Sequence, residues 1–260
     1  MKYGFCNLGI VPVRNESSEK SEMVTQLLFG DIFTILDENE DRYFIENFDD
    51  SYKGWVDKKQ VIEISSQEFS AYSKEAKLIV KEAITYAFQT NISTKEKIIY
   101  PVYLGSKVVS QKFQLGDILF EFTQNSLIKN LNTTSIHLIT VALKYLSTPY
   151  LWGGKSLFGI DCSGFTQMCY KQIGVFLLRD ASEQATQGEE IIEISLAQKG
   201  DLCFFSNKEG KIIHVGIYLG EGKIIHSSGQ VRIDRIDEKG IFRIDTQTYS
   251  HTLCKINRYL

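Results

Sequence analysis

Within residues 131–260 the hydrophobic period switches once, from helical to alternating, and that switch limits the folds open to this half of the chain. Around residues 136–146, and again from Ser163 onward, apolar side chains recur at three- and four-residue steps, as one face of a helix requires. The first stretch ends before Thr148-Pro149, because the residue preceding a proline is driven out of the helical region. A short helix is expected at 182–187. From Asp201 the pattern alternates, and strands are expected at 201–205, 211–219, 223–226, 231–236 and 252–258. Helices followed by an antiparallel run make residues 131–260 an α+β domain.

The residues able to do chemistry sit on either side of the switch. Cys162 opens the second helical stretch, where Phe165, Met168, Cys169, Gln172 and Ile173 form one mostly apolar stripe. A cysteine attacks as thiolate, so its surroundings must lower its pKa. Unpaired N–H groups and the positive end of the helix dipole favour an anion there. Gly164 is expected to leave room beside the sulfur, and the Cys162 N–H is a candidate oxyanion donor. Asp161 opposes the thiolate, since a neighbouring carboxylate raises a thiol's pKa. It serves either as the helix N-cap or as partner to a cation, most naturally a substrate ammonium.

The alternation at 212–219 puts His214, Gly216 and Tyr218 on one strand face and Ile213, Val215, Ile217 and Leu219 on the core-facing other. A three-residue turn, Gly220-Glu-Gly, would pair Leu219 with Lys223 and Gly216 with His226. His226 then lies diagonally from His214, within side-chain reach. A two-residue turn would send it to the opposite face. Gly216 is expected to keep the shared face clear for substrate. Thiol, histidine and histidine in this order are the layout of a cysteine hydrolase, with His214 as general base and His226 fixing its tautomer. Cys162, Cys169, Cys203 and Cys254 show no Cys-x-x-Cys pairing and no zinc-like histidine spacing, so neither a metal nor a cofactor is expected.

Six runs carry a family resemblance: Tyr150-Leu-Trp-Gly-Gly, Gly159-Ile-Asp-Cys-Ser-Gly-Phe, Leu178-Arg-Asp-Ala-Ser, Gly200-Asp-Leu-Cys-Phe-Phe, His214-Val-Gly-Ile-Tyr-Leu-Gly and His226-Ser-Ser-Gly-Gln-Val-Arg. In this order they resemble the NlpC/P60 cysteine peptidases, a papain-like family acting on cell-wall peptides. The N-terminal half is similar to the bacterial SH3 modules fused to the γ-D-glutamyl-L-diamino acid endopeptidase branch. Leu178 and Lys199 stand where the family often has proline, which changes loop stiffness rather than chemistry. The resemblance implies a Cys162, His214 and His226 triad and a muropeptide substrate with a free N-terminal L-Ala. It also implies that Asp161 and Ser163 recognise that end, with Tyr150 and Trp152 walling the pocket. Asp180 and Ser182 are further substrate-binding candidates, and Glu22 and Tyr52 are candidates on the barrel expected to close the far side. The alternatives are a general wall endopeptidase, an amidase or acyltransferase on the same fold, and a non-catalytic wall-binding protein.

At 260 residues with a net charge of −3 and no dense Lys/Arg block, the chain is not expected to bind nucleic acid or an anionic membrane surface. No apolar stretch is long enough to span a bilayer. The segment 5–13 lacks the basic start and cleavage site of a signal peptide. Five scattered cysteines fit a reducing compartment, so a cytoplasmic location is expected.

Residues 1–65 show five short apolar runs broken by turn residues: 10–13, 25–29, 32–36, 42–46 and 54–56. They suggest a small SH3-like β-barrel, with Trp55 read as barrel filling. Residues 66–130 read as a second, degenerate SH3-like barrel, with strands near 98–104 and 116–122.

Overall fold

The computed structural model describes every residue except Ala76, Gln124, Asn130 and Leu131. The chain divides into two compact units, Met1–Asn130 and Leu131–Leu260. The domain boundary expected at 130/131 falls on two residues outside the described ones.

In the N-terminal unit all five apolar runs of the first 65 residues form strands. The sheet runs in the order Met23–Leu28, Ile10–Arg14, Lys53–Asp57, Arg42–Asn47, Ile32–Glu38, Lys2–Phe5, Ile62–Ile64. Its core is built from Val11, Val13, Leu27, Phe33, Ile45 and Val56, among others. Trp55 does not fill it: Val56 points inward, and the half-buried Trp55 packs on Phe44 with ring centroids 5.2 Å apart.

Residues 66–130 begin with a helix absent from the sequence reading, Ser66–Lys74, held by a capping box between Ser65 and Glu68. A four-stranded and a three-stranded sheet follow. Their core is not their own. Phe5, Phe29 and Ile32 from the first sheet join Tyr72, Val80, Val102, Val108, Phe113, Phe120 and Phe122 in one cluster. Buried Lys107 forms ion pairs with Asp31, at 4.0 Å, and with Asp49 across the same seam.

Among the described residues the C-terminal unit has three α-helices, α1 (Ser135–Leu143), α2 (Cys162–Lys171) and α3 (Ala181–Gln184), ahead of the six strands of its main sheet. The strands, numbered within this unit, are β1 (Leu202–Ser206), β2 (Ile212–Gly220), β3 (Lys223–Ser228), β4 (Gln230–Asp237), β5 (Gly240–Arg243) and β6 (Thr248–Arg258). All pairings are antiparallel, in the order β6-β1-β2-β3-β4-β5. β5 pairs back with β6 and closes a six-stranded barrel. The α+β expectation holds; β5 lies between the strands expected at 231–236 and 252–258, where none was expected, and it is the strand that closes the barrel.

Cys203, Phe205, Tyr218, Ile224, Ile236, Ile241 and Ile256 fill the barrel. Its outer face is buried as well, because α2 packs against β2 and β3. Phe165, Met168, Cys169, Tyr170 and Ile173 reach full burial, with Phe165, Met168 and Ile173 each contributing roughly 1.5–3 kcal/mol. The Tyr170 hydroxyl donates to the Gly200 carbonyl and ties the helix to the start of β1. The helix headed by Cys162 is thereby fixed to the sheet that carries the histidines.

Candidate active site

α2 begins at Cys162 because Asp161 caps it. Asp161 is extended (φ −87°, ψ 178°), and its Oδ1 accepts the Gly164 N–H at 2.6 Å. The same carboxylate accepts the Gly153 N–H at 2.8 Å and holds Arg179, with Nη1 3.1 Å from Oδ1 and Nη2 2.5 Å from Oδ2. Ser163 joins this knot: its hydroxyl donates to Asp161 Oδ1 at 3.3 Å and accepts from Arg179 Nη1 at 3.0 Å. Arg179 is only 1% exposed. The cation beside Asp161 is therefore a side chain of this chain. Five donors of this chain meet its two oxygens, so Asp161 is the helix N-cap and its charge is met from within the chain by Arg179.

Two glycines have different uses from those expected. A Cβ on Gly164 would lie 2.3 Å from the Gly154 carbonyl oxygen. The missing side chain makes room for the 153–154 backbone, not for the sulfur. A Cβ on Gly216 would lie 2.8 Å from His226 Cβ and 2.8 Å from Ile224 Cδ1. Gly216 lets His226 sit close rather than leaving a gap for substrate.

The thiol does not behave as the helix terminus alone suggests. Burial pushes the Cys162 pKa up to about 12, with the Asp161 charge adding to it. Backbone hydrogen bonds from Val215 and Ser163, and the Arg179 charge, oppose this without overcoming it. Burial thus favours the thiol form over the thiolate. The Val215 contact sets it against β2, one residue beyond His214.

Gly216 pairs with His226, as expected, but the turn is tighter than expected. Lys223 pairs with Gly220, not Leu219, and the register shifts between Tyr218 and Gly220. The loop has two residues, Glu221 and Gly222, and Leu219 is a bulge that restores the face. His214 Nε2 and His226 Nδ1 lie 2.8 Å apart, and His226 Nε2 lies 3.1 Å from Asp234 Oδ2. Both rings are buried. Burial drives the His214 pKa well below its ordinary value, with His226 and His251 adding to the effect. It lowers His226 as well, against the pull of Asp234.

The sequence reading missed Arg179, Asp234 and His251. His251 stacks on His214, with centroids 4.2 Å apart and planes at 22°, and burial brings its pKa down to about 4. Three of the chain's four histidines meet here, and that scarcity was the available signal. Asp234 was reachable by continuing the hairpin register. Arg232 pairs with His226, so Asp234, two residues on, shares its face.

Of the substrate candidates, Tyr150 lies near the thiol: its pKa is raised by burial and then by the Cys162 and Asp161 charges. Trp152 is 61% exposed. Asp180 caps α3 in a capping box with Glu183, and Ser182 is exposed on that helix. Glu22 and Tyr52 belong to the N-terminal unit. Among the described residues no cluster of His, Cys, Asp and Glu side chains is arranged to hold a metal ion. No described helix is long and apolar enough to cross a membrane.

Residues 147–249 match the model of the NlpC/P60 family, and residues 13–61 match that of the bacterial dipeptidyl-peptidase Sh3 domain. The chain is 30% identical over 267 residues to a gamma-D-glutamyl-L-lysine dipeptidyl-peptidase of Bacillus cereus, covering 92% of this chain and 76% of that protein. It is 41% identical to dipeptidyl-peptidase 6 of Lysinibacillus sphaericus over 118 residues, 43% of this chain and 41% of that protein. A crystal structure of an NlpC/P60 family protein from Bacillus cereus superposes with a TM-score of 0.82 at 21% identity, covering 99% of both chains.

Proposed function

This chain belongs to the NlpC/P60 family, and on that premise we propose that it is a cysteine peptidase hydrolysing the γ-D-glutamyl–diamino acid bond of cell-wall muropeptides. The observation that carries the reading is the placement of Cys162 at the head of α2, against the strand bearing His214, with His214 paired to His226. Cys162 Sγ attacks the γ-carbonyl as His214 takes the thiol proton. Because burial disfavours both thiolate and imidazolium, the pair rests neutral and the proton moves only as the S–C bond forms. The Cys162 N–H, which heads the helix without an acceptor in it, faces the developing oxyanion. His214 returns the proton to the leaving amine, and water then clears the acyl-enzyme.

In the finer reading the substrate is a trimmed peptide with a free N-terminal L-Ala, met in cytoplasmic recycling. What supports it is the likeness to dipeptidyl-peptidases and the Sh3 domain match. One observation favours a general wall endopeptidase instead: Asp161 is already neutralised by Arg179. The experiment compares kcat/KM for L-Ala-γ-D-Glu-diamino acid and its N-acetylated twin, with Cys162→Ala as control. Release of the diamino acid by wild type and none by Cys162→Ala supports the peptidase reading. Activity in Cys162→Ala within tenfold of wild type would refute the nucleophile. A strong preference for the free amine supports recycling, and equal rates support the general endopeptidase.

A further inference from the structure

We propose that Asp234 is a positioning residue that fixes the tautomers of both histidines, so that His214 presents Nδ1 as its basic nitrogen. The inference rests on the peptidase reading only for the use made of that nitrogen. The proton arrangement follows from the contacts alone. A carboxylate can only accept hydrogen bonds. Asp234 Oδ2 lies 3.1 Å from His226 Nε2, so His226 carries its proton on Nε2 and leaves Nδ1 as a lone pair. That lone pair lies 2.8 Å from His214 Nε2, which must therefore be the donor. A neutral His214 with its proton on Nε2 has Nδ1 bare. Nδ1 is also the one ring nitrogen of His214 not engaged by His226.

Asp234 is held in the acceptor state from every side. It is fully buried. Its Oδ1 accepts from Arg232 Nη2 at 3.0 Å and from the Ile244 N–H at 3.3 Å, and Arg232 Nε lies 2.7 Å from Oδ2. Arg232 also reaches Asp245 at 3.1 Å, and Arg243 holds Asp245 at 2.6 Å. Burial alone would raise the Asp234 pKa, but bonds from His226, Arg232 and Ile244 bring it down to about 2. When the Cys162 proton passes to His214 Nδ1, the imidazolium keeps its Nε2–H on His226. No second proton has to move. The opposite tautomer of His226 would donate from Nδ1, force the His214 proton onto Nδ1 and remove the base.

Asp234→Asn converts this into a measurement. Two donors, Arg232 Nη2 and the Ile244 N–H, hydrogen-bond the Oδ1 position, whereas Arg232 Nε, although 2.7 Å from Oδ2, makes no hydrogen bond to it. The amide oxygen takes that place and the amide NH2 faces His226 Nε2. The variant should invert the relay. In 15N-histidine-labelled full-length protein, two-bond nitrogen–proton correlation spectra should show His214 and His226 both as Nε2–H tautomers in wild type. Both should appear as Nδ1–H tautomers in Asp234→Asn. kcat/KM should fall on the order of 10²–10⁴-fold, as when a catalytic histidine is denied its working proton arrangement. If Asp234→Asn keeps both Nε2–H tautomers, the proposal is overturned whatever its activity. If either buried histidine is Nδ1–H in wild type, the wild-type spectrum alone overturns it, even where the variant does not fold. A wild-type chain inactive on γ-D-glutamyl peptides would sink the substrate assignment and leave the tautomer result standing.

Discussion

Replacing Arg179 by Met tests whether the Asp161–Arg179 pair is what allows a carboxylate to sit beside Cys162, the proposed nucleophile. The substitution keeps most of the buried volume and removes the charge. Asp161 loses two hydrogen bonds from Arg179 and Ser163 loses one. Breaking one side of a buried ion pair costs about 3–5 kcal/mol, because the remaining charge is left uncompensated. Here the carboxylate keeps the Gly153 and Gly164 N–H groups and the Ser163 hydroxyl, so the lower end, about 3 kcal/mol, is expected. For a unit of this size that is a fall in calorimetric midpoint of roughly 10 °C. Asp161→Asn keeps an oxygen for the cap and removes the charge. Added to Arg179→Met, it should recover about 2 kcal/mol, a coupling within the range for directly contacting groups. An Arg179→Met loss below about 0.5 kcal/mol, the level of a neutral surface change, or additive single effects would refute the pair's role. With Asp161 already paired to Arg179, amino-end selectivity is expected not to run through Asp161. The ratio of kcat/KM for free and N-acetylated peptide should therefore be unchanged in Asp161→Asn.

Other outcomes follow from the same geometry. His214→Ala should lower kcat by about 10²–10⁴-fold and His226→Ala by less, since His226 acts through His214; steady-state kinetics that reverse this order would exchange their roles. Gly216→Ala should force His226 away from His214, at roughly 1–3 kcal/mol of overpacking and on the order of 10²-fold in kcat, and wild-type kinetics would show that the 2.8 Å contact is relieved elsewhere. Stability should fall with acid below about pH 6.5. Burial lowers the folded pKa of His214, His226 and His251 below the unfolded value, so the unfolded chain takes up protons first. The stability is present above pH 6.5 and lost as pH falls toward the folded values, about 4 for His251, at up to ~1.4 kcal/mol per pH unit per histidine. A urea midpoint that is flat between pH 7 and 5 would contradict the neutral, buried assignment.

The strands around the site were legible because half-buried strands alternate, and Cys162 stood out as the candidate nucleophile because a cysteine between Asp161 and Ser163-Gly164 has little reason to be core packing. What stayed hidden depended on long-range partners. Arg179 lies 18 residues from Asp161, and nothing local marks the two as a pair. The cluster joining Phe5, Phe29 and Ile32 to Tyr72 and Phe120 was invisible for the same reason. Those residues look like the filling of one barrel until the second sheet is seen to lean on them. The helix Ser66–Lys74 offers only Phe69 and Tyr72 as an apolar stripe, although its Ser65–Glu68 cap was written in the sequence.

The hairpin between β2 and β3 shows why counting residues is a weaker guide than asking what must end up on one face. A turn one residue shorter than expected should have reversed every side chain after it, because strand parity has a period of two. His226 would then have left the site. Instead Leu219 drops out of the ladder, and the bulge absorbs the missing residue. Every pair from Tyr218–Ile224 to Gly216–His226 keeps the register that brings the two histidines together. Ile224 remains in the barrel core beside Tyr218 and Ile236, which holds that register firmly: a one-residue slip would expose Ile224 and bury Lys223. The packing of Ile224 thus fixes the parity of His226, the parity of His226 brings it to Asp234, and in the proposed mechanism that contact determines which nitrogen of His214 is left to take the proton from Cys162.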